Sequence, residues 1–297
     1  MALRLLAVHA HPDDESSKGA GTYARYVSAG AQVVVVSCTG GERGDIQNDQ
    51  LVNRAMASRD IAGARRLEMA EAKNAIGCEH LWLGYEDSGL PDTSNPDNIE
   101  PLPANCFALI PLEISAEPLV RIIRRLRPQV LVTYDESGGY PHPDHIRTHE
   151  ISMYAWAAAS DPSRYPDAGE PWQISKVYYD RIFNGARIEA MYNYFAAADP
   201  QSPYRELLGE MRDWMSGRPN VTTTQVRVDD FYEHRDNALR AHASQVPPDS
   251  PFFFLPHDAQ REAWPFDDFQ LVTSQVESEL PETDLFAGII DDQESRA

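Results

Sequence analysis

The sequence predicts an α/β protein with a Rossmann-like, mostly parallel sheet flanked by helices. Over the first 182 residues, short apolar runs alternate with segments of helical period, which is the pattern of a parallel sheet covered by helices. Two histidine- and aspartate-rich clusters each follow such an apolar run. Beyond residue 182 the pattern changes to helices and a single strand. We therefore expect one α/β domain over residues 1–182 and a smaller C-terminal α+β lid subdomain over residues 183–297.

The apolar runs predict five strands in the first domain, at residues 3–9, 32–38, 80–83, 130–134 and 176–179. Helices are predicted between them, at residues 19–28, 59–76, 117–126 and 144–159. For the third of these helices, Ser115 is the expected cap and Pro118 fits the first turn. The C-terminal region predicts a strand at 223–228 and helices at 186–198, 204–215 and 231–244.

Two connections, residues 40–53 and 87–111, are long for loops between a strand and a helix. Loops of this length in a compact domain are usually functional or disordered. Both leave the sheet at the edge that carries the two clusters. We expect them to form walls of a pocket at that edge.

Composition excludes several classes of function. The 297 residues include no run of eighteen apolar residues, so no membrane span is expected. The formal charge of −20 repels phosphate backbones and anionic lipids, which argues against nucleic-acid and membrane partners. Three cysteines without metal-site spacing, and no charged-then-apolar leader, indicate a reducing cytoplasm. The sequence does not predict an oligomeric state.

The two clusters together predict a metal site. They are AHPDDE, which ends at Glu15, and YPHPDH, which ends at His145. Ligands in open α/β sheets bind at the carboxyl ends of the strands, where both clusters lie. His11, Asp14 and His145 would supply two nitrogens and one carboxylate, the layout of catalytic Zn²⁺ with positions open to water. Fe²⁺ also suits this set, and a non-haem iron enzyme is an alternative.

Neighbouring side chains supply the remaining chemistry of a hydrolase. Asp13 cannot easily share the direction of Asp14, so we expect it to act as general base, with helix capping as the alternative. Tyr140 and His142 are candidates for stabilising an oxyanion and protonating the leaving group, and their roles could be exchanged. Asp144 is expected to hydrogen-bond the His142 ring and raise its pKa.

Three other histidines have less certain places. His9 lies within the first strand and is expected to be a hydrogen-bonded core residue. His149 would share a helical face with His145, either beside the site or in plain packing. His242, on a predicted lid helix, faces either the pocket or the surface.

With AHPDDE near its N-terminus and HPDH later, the chain resembles the LmbE/PIG-L family of zinc-dependent deacetylases. The resemblance implies an LmbE-like fold and N-acylated glucosamine substrates. It also implies that His11, Asp14 and His145 bind zinc, one ion per subunit, and that Asp13 is the general base. By the same resemblance, the oxyanion and proton-transfer group is Tyr140, His142 and Asp144.

Longer segments resemble family members that cleave the amide of mycothiol S-conjugates, notably HPDDESSKGA, WLGYEDSGLP and the tail PETDLFAG. The implied products are a mercapturic acid and glucosaminyl-inositol, formed in thiol-dependent detoxification. Lys18 favours this substrate and is a candidate contact. The alternative is the N-acetylglucosaminyl-inositol deacetylase of mycothiol biosynthesis. By resemblance Arg65 and Asp87 contact sugar and inositol hydroxyls, although Arg65 could instead form a surface ion pair with Glu68.

Overall fold

The computed structural model describes residues 2–92 and 100–289. It contains one seven-stranded sheet in the order β3-β2-β1-β4-β5-β7-β6. The strands are β1 (Arg4–His9), β2 (Gln32–Thr39), β3 (Glu79–Tyr85), β4 (Val130–Thr133), β5 (Lys176–Asp180), β6 (Thr224–Arg227) and β7 (Phe266–Ser274). The first five strands run parallel, and β7 pairs antiparallel with both β5 and β6. The predicted mostly parallel, Rossmann-like sheet is confirmed.

Helices cover both faces of this sheet. They are α1 (Asp14–Lys18), α2 (Ala20–Ser28), α3 (Arg54–Arg59), α4 (Ile61–Ile76), α5 (Leu112–Leu126), α6 (Pro143–Ser160), α7 (Gly185–Ala198), α8 (Pro203–Met215), α9 (Tyr232–Ala241) and α10 (His257–Ala263). Successive residues of β1 enter opposite cores: Leu5 and Ala7 pack on one face, and Leu6 and Val8 on the other. A strand buried on both faces reads as a continuous apolar run, which is why β1 was recognisable in the sequence.

Helix α5 begins earlier than predicted. It starts at Leu112, so Ser115 is not its cap and Pro118 lies inside the helix. A proline there removes one backbone hydrogen bond and leaves the carbonyl four residues earlier without its donor. That carbonyl belongs to Ile114, and the Tyr85 hydroxyl donates to it at 3.4 Å. A partner from β3 thus lets the helix continue through its proline.

The C-terminal region extends the same sheet through β6 and β7. Its helices α7, α8 and α10 share a third apolar cluster centred on Ile188, Met191 and Phe195. The sequence patterns did not predict α3, α10 or β7, and β7 is only partly buried over most of its length. The domain boundary between residues 182 and 183 stays a prediction. Residues 93–99 of the predicted pocket-wall loop lie outside the described residues.

A buried cluster around Glu282 fastens the tail motif to the sheet. The Glu282 carboxylate pairs with Lys176 of β5 and accepts hydrogen bonds from the Tyr178 hydroxyl at 2.6 Å and Thr224 at 2.8 Å. Leu285 and Phe286, a few residues later, enter the main core. These contacts, which we call the Glu282 cluster, attach the PETDLFAG segment to β5 and β6.

No helix in residues 2–92 and 100–289 is both long and apolar enough to cross a bilayer. All three cysteines are buried and unpaired. The cytoplasmic location stays a prediction.

Candidate active site

The predicted metal ligands meet at the carboxyl edge of the sheet. His11 and Asp14 follow β1, and His145 lies in the first turn of α6, after β4. Strands β1 and β4 are neighbours, although three strands and their connections separate the two clusters in sequence. The chain runs from β1 through β2 to β3 on one side and returns to place β4 on the other. This switch point opens a crevice where ligands bind in open α/β sheets.

The spacing of the three ligand atoms fits a metal ion. His145 Nε2 lies 3.4 Å from Asp14 Oδ2, and His11 Nδ1 lies 3.7 Å from the same oxygen. Tetrahedral ligands about 2.0–2.2 Å from Zn²⁺ lie roughly 3.4 Å from one another. All three side chains are buried, and their ligand atoms lie within 4.8 Å of each other.

The hydrogen bonding of His145 indicates that one nitrogen is reserved for a ligand. Its Nδ1 lies 3.0 Å from the Gly138 carbonyl, so Nδ1 carries the proton and Nε2 is the acceptor. Among the described residues this buried Nε2 has no hydrogen-bond partner. The Tyr134 ring stacks on His145 with an interplanar angle of 9° and fixes its plane. A bound cation would satisfy the free nitrogen.

The charges around His11 also favour a bound cation. Burial alone would lower its pKa, but the carboxylates of Asp144, Asp87 and Asp14 raise it to about 10. Three buried carboxylates around one ring create a field that demands positive charge. The residues present therefore fit a divalent cation.

A second group of three ligand atoms comprises His11, Asp87 and His142. Its members already have protein partners: Asp87 accepts from the backbone N–H groups of Gly89 at 2.7 Å and Arg43 at 3.0 Å. The His142 Nδ1 accepts from the Asp144 backbone N–H at 3.1 Å. The group with the unpartnered nitrogen, that of His145, is the better metal site.

The prediction that the Asp144 carboxylate accepts a hydrogen bond from the His142 ring is wrong. The Asp144 carboxylate accepts from the Ser88 hydroxyl and, at 2.9 Å, from its backbone N–H. Its Oδ2 also lies 3.3 Å from His11 Nε2. A carboxylate on the far nitrogen of a metal-binding imidazole fixes the ring and its tautomer. Asp144 thus orients a predicted metal ligand, which leaves His11 Nδ1 directed at Asp14.

The predicted rise in the His142 pKa is also wrong. Burial and the charge of His11 lower the pKa of His142 to about 4, so the ring is neutral near pH 7. Because Nδ1 accepts from the backbone of Asp144, the proton of the neutral ring is on Nε2. His142 therefore presents an N–H donor to the cleft.

Asp13 has a strained backbone and one fixed partner. Its φ of +99° is unusual for a residue with a side chain. Asp13 is the N-cap residue of α1, as the alternative interpretation predicted, but its side chain makes no capping hydrogen bond. Its carboxylate instead lies 3.0 Å from Nη2 of Arg65. Burial raises the pKa of Asp13, and the Arg65 charge opposes that rise.

Arg65 is buried, so the alternative of a surface pair with Glu68 is wrong. Its guanidinium donates to the carbonyls of Pro12 at 2.6 Å and Gly41 at 2.8 Å as well as to Asp13. Glu68 instead accepts from Ser244 at 2.7 Å. Arg65 therefore holds the loop after β1 in place and lines the same cleft as Asp13.

Lys18 pairs with one of the predicted metal ligands. Its ammonium pairs with Asp14 Oδ1, and its side chain is 9% exposed. It does not line the cleft formed by His11, Asp13 and Asp14. Lys18 is therefore a partner of the predicted metal ligand Asp14, and its contact with substrate stays a prediction.

The cleft over the predicted ligands has a cavity volume of about 380 Å³ and a mostly polar lining. Tyr140, Asp87 and His142 line it together with Arg43 and Gln245. Both predicted wall loops contribute, the first through residues 43–47 and the second through 87–90. Burial raises the pKa of Tyr140, so its hydroxyl stays protonated and can donate.

Two buried residues joined to the site were not identified as such from sequence. His242 Nε2 lies 2.7 Å from Glu15 Oε1, and both side chains are fully buried. The other oxygen of Glu15 accepts from the Asp13 backbone N–H at 3.0 Å. His242 thus supports the loop from behind, neither in the cleft nor on the surface. The sequence signal that could have identified this pair was Glu15, the acidic residue that ends AHPDDE.

The remaining predicted histidines lie next to this framework. His9 is a core residue, as expected, between the hydroxyls of Tyr23 at 3.0 Å and Tyr134 at 3.2 Å. His149 bonds the Tyr134 carbonyl at 3.0 Å and helps to hold the residue that stacks on His145.

Comparison with known proteins agrees with this geometry. Residues 6–156, just over half of the chain, match the family model PIG-L, GlcNAc-PI de-N-acetylase. The protein belongs to the PIG-L/LmbE family. It is 49% identical over 291 residues to mycothiol S-conjugate amidase of Streptomyces coelicolor, covering 97% of this chain and 98% of that protein.

A second relative is 37% identical over 294 residues, covering 96% of this chain and 90% of the relative. It is the 1D-myo-inositol 2-acetamido-2-deoxy-alpha-D-glucopyranoside deacetylase of Streptomyces scabiei. Among solved structures, the N,N'-diacetylchitobiose deacetylase of Pyrococcus horikoshii superposes with a TM-score of 0.60 at 19% identity. That match covers 91% of this chain and 84% of the deacetylase, and it shows the LmbE-like fold.

Proposed function

We propose that this protein is a zinc-dependent hydrolase that cleaves the amide bond of mycothiol S-conjugates. The products are an N-acetylcysteine S-conjugate and glucosaminyl-inositol. The observation that carries the hydrolytic chemistry is the buried, unpartnered His145 Nε2 at 3.4 Å from Asp14, beside a spare carboxylate at Asp13. The high similarity to an amidase along the whole chain supports the choice of substrate.

His11, Asp14 and His145 would hold the ion. When bound, Zn²⁺ polarises the scissile carbonyl and lowers the pKa of a bound water to about 7. Two imidazoles and one carboxylate also suit Fe²⁺. Zn²⁺ is proposed because hydrolysis needs no change of oxidation state. A non-haem oxygenase would leave the base at Asp13 without a function.

Asp13 takes a proton from the attacking water. Its carboxylate is only partly exposed, at 28%, and Arg65 holds one of its oxygens. Burial raises the pKa of Asp13, which makes it a stronger base than an exposed aspartate. The same carboxyl then delivers the proton to the departing amine of the sugar, because neutral His142 lacks a spare proton for that step.

His142 and Tyr140 stabilise the oxyanion. Neutral His142 offers Nε2–H, and Tyr140, whose ring centroid lies 6.0 Å from that of His142, offers its hydroxyl to the same cleft. Donors held in place before the reaction stabilise the developing charge without reorganising. Arg65 and Asp87 line the same cleft, where a guanidinium and a carboxylate suit the hydroxyls of a polyol.

The competing function is removal of acetate from N-acetylglucosaminyl-inositol, which uses the same chemistry. The lower identity to the deacetylase, 37% against 49%, favours the amidase. A direct test compares hydrolysis by the purified zinc enzyme of a bulky mycothiol S-conjugate and of the acetyl sugar. We expect a large preference for the conjugate. A preference for the acetyl sugar would assign the protein to thiol biosynthesis instead.

A further inference from the structure

A second cleft lies beside the candidate active site at the same edge of the sheet. It has a cavity volume of about 280 Å³ and lies over the ends of β4 and β5. Its lining includes Gly139, Asp180 and Phe183. Gly139 directly precedes Tyr140, which lines the first cleft, so the loop after β4 separates the two. The Gly138 carbonyl in the same loop bonds His145, so this loop also contacts the predicted metal site.

Asp180, at the end of β5, is the unusual group in this second cleft. Its side chain is buried, with a relative exposure of 7%, and its Oδ2 has no hydrogen-bond partner among the described residues. Burying a carboxyl oxygen without a donor costs free energy, so buried polar groups are nearly always paired. Asp180 lines the second cleft, but its Oδ2 is closed to solvent, so a ligand donor would reach the carboxylate through a rotation about its Cβ–Cγ bond. Burial raises the pKa of Asp180 to about 7, and the nearby Lys18 opposes the rise.

An apolar cavity continues from the second cleft. Ile182 and Phe183 line both, and the cavity itself has a volume of about 70 Å³. Its other walls are the side chains of Met191, Leu208, Leu239 and Phe252. Phe252 is 39% exposed, so the apolar lining reaches the surface. Ser17, three residues after the ligand Asp14, also borders the cavity, which places it close to the site.

We propose that the second cleft and this cavity bind the acyl arm of the substrate. Asp180 accepts a hydrogen bond from the acetamido N–H of the cysteine, and the apolar cavity receives the substituent on sulfur. The inference rests on the proposed amidase function. An amide has two sides, and the polar cleft with Arg65 and Asp87 suits the sugar side. The acyl arm must then leave in the other direction, past Gly139. An acetyl group would leave both features unused.

The test compares S-conjugates that differ only in the acyl arm, using the metal-loaded enzyme. The substrates are the S-benzyl and S-methyl conjugates of mycothiol, and the S-methyl conjugate without its acetamido group. Phe183→Ala should lower the preference for benzyl over methyl about tenfold, as expected for lost apolar contact in a pocket. Phe254→Ala is the matched control, because Phe254 lines neither the second cleft nor the apolar cavity. It should leave that preference unchanged.

Asp180→Ala tests the acceptor. It should lower kcat/KM for the acetamido substrate about tenfold relative to the analogue without the acetamido group, since one hydrogen bond to a carboxylate is lost. A merely structural defect would lower kcat/KM equally for both substrates, and that result would overturn this role. Equal benzyl-to-methyl ratios in wild type and Phe183→Ala would overturn the apolar subsite while leaving the amidase function intact. No turnover of any S-conjugate by wild type would overturn both the function and the inference.

Discussion

Two buried clusters in this protein pair a lysine with a carboxylate, and they differ in how completely their polar atoms are satisfied. In the Glu282 cluster, Lys176 and Glu282 are fully buried, and Tyr178, Thr224 and Ser278 complete the hydrogen bonds of the carboxylate. At the predicted metal site, Lys18 pairs with Asp14 in a similar way. There, however, the neighbouring His145 Nε2 has no hydrogen-bond partner among the described residues.

The difference separates a structural cluster from a functional one. A satisfied buried network makes the protein rigid and specifies one arrangement of its elements. An unsatisfied buried atom is costly and persists where a ligand completes it. We therefore expect changes in the Glu282 cluster to reduce stability, and changes in the Asp14 cluster to reduce metal binding and turnover.

The largest effect should come from Asp13→Asn. The variant keeps the shape of the side chain but removes the base, so kcat should fall about 10²- to 10⁴-fold while the metal stays bound. Steady-state kinetics and metal analysis of the same sample measure both quantities. His11→Ala is the contrasting variant, which should lose metal as well as activity. Unchanged turnover in Asp13→Asn would show that the base is another group.

Glu282→Ala tests the structural cluster and should reduce the stability of the protein. Removing one partner of a buried pair leaves Lys176 uncompensated, and the expected loss in free energy of unfolding is about 3–5 kcal/mol. Urea denaturation followed by circular dichroism measures this loss. The exposed Glu279 is the control, since Glu279→Ala should change stability by less than about 0.5 kcal/mol. The specific activity of folded Glu282→Ala should stay close to wild type.

The two lysines offer a matched pair of substitutions. Lys18→Met removes the partner that orients Asp14, and loss of such support typically lowers metal affinity or activity about 10- to 100-fold. Lys176→Met should leave metal affinity unchanged and lower stability. Zinc titration against a chelator and thermal unfolding of both variants make the comparison. Similar behaviour of the two variants would remove the distinction between the clusters.

The smallest expected effect is a shift in pH dependence. The Arg65 charge lowers the pKa of Asp13, so Arg65→Gln should raise that pKa. The ionised base would then be lost at a higher pH as the solution is acidified. The acidic limb of kcat/KM should therefore move to higher pH, which a pH profile of the variant beside wild type measures. A shift to lower pH would contradict the assigned pair.

Much of the fold was predictable because β1, β2 and β4 are buried on both faces and read as apolar runs. Strand β7 was missed because it is only partly buried and carries Asp267 and Asp268. Helix α5 was shortened in the prediction because the sequence alone treats Pro118 as a start signal. Only the folded structure shows Tyr85 replacing the missing donor.

The sequence alone was enough to predict the metal ligands, because His11, Asp14 and His145 lie in two local motifs that each follow a strand. Tertiary structure decided the partners of the surrounding side chains. The Asp144 carboxylate bonds His11 rather than the ring of its neighbour His142, Arg65 is buried against Asp13, and His242 reaches Glu15 across 227 positions. The physical reason is that a motif fixes which groups are close along the chain, whereas pairing, burial and pKa depend on which distant elements pack against them.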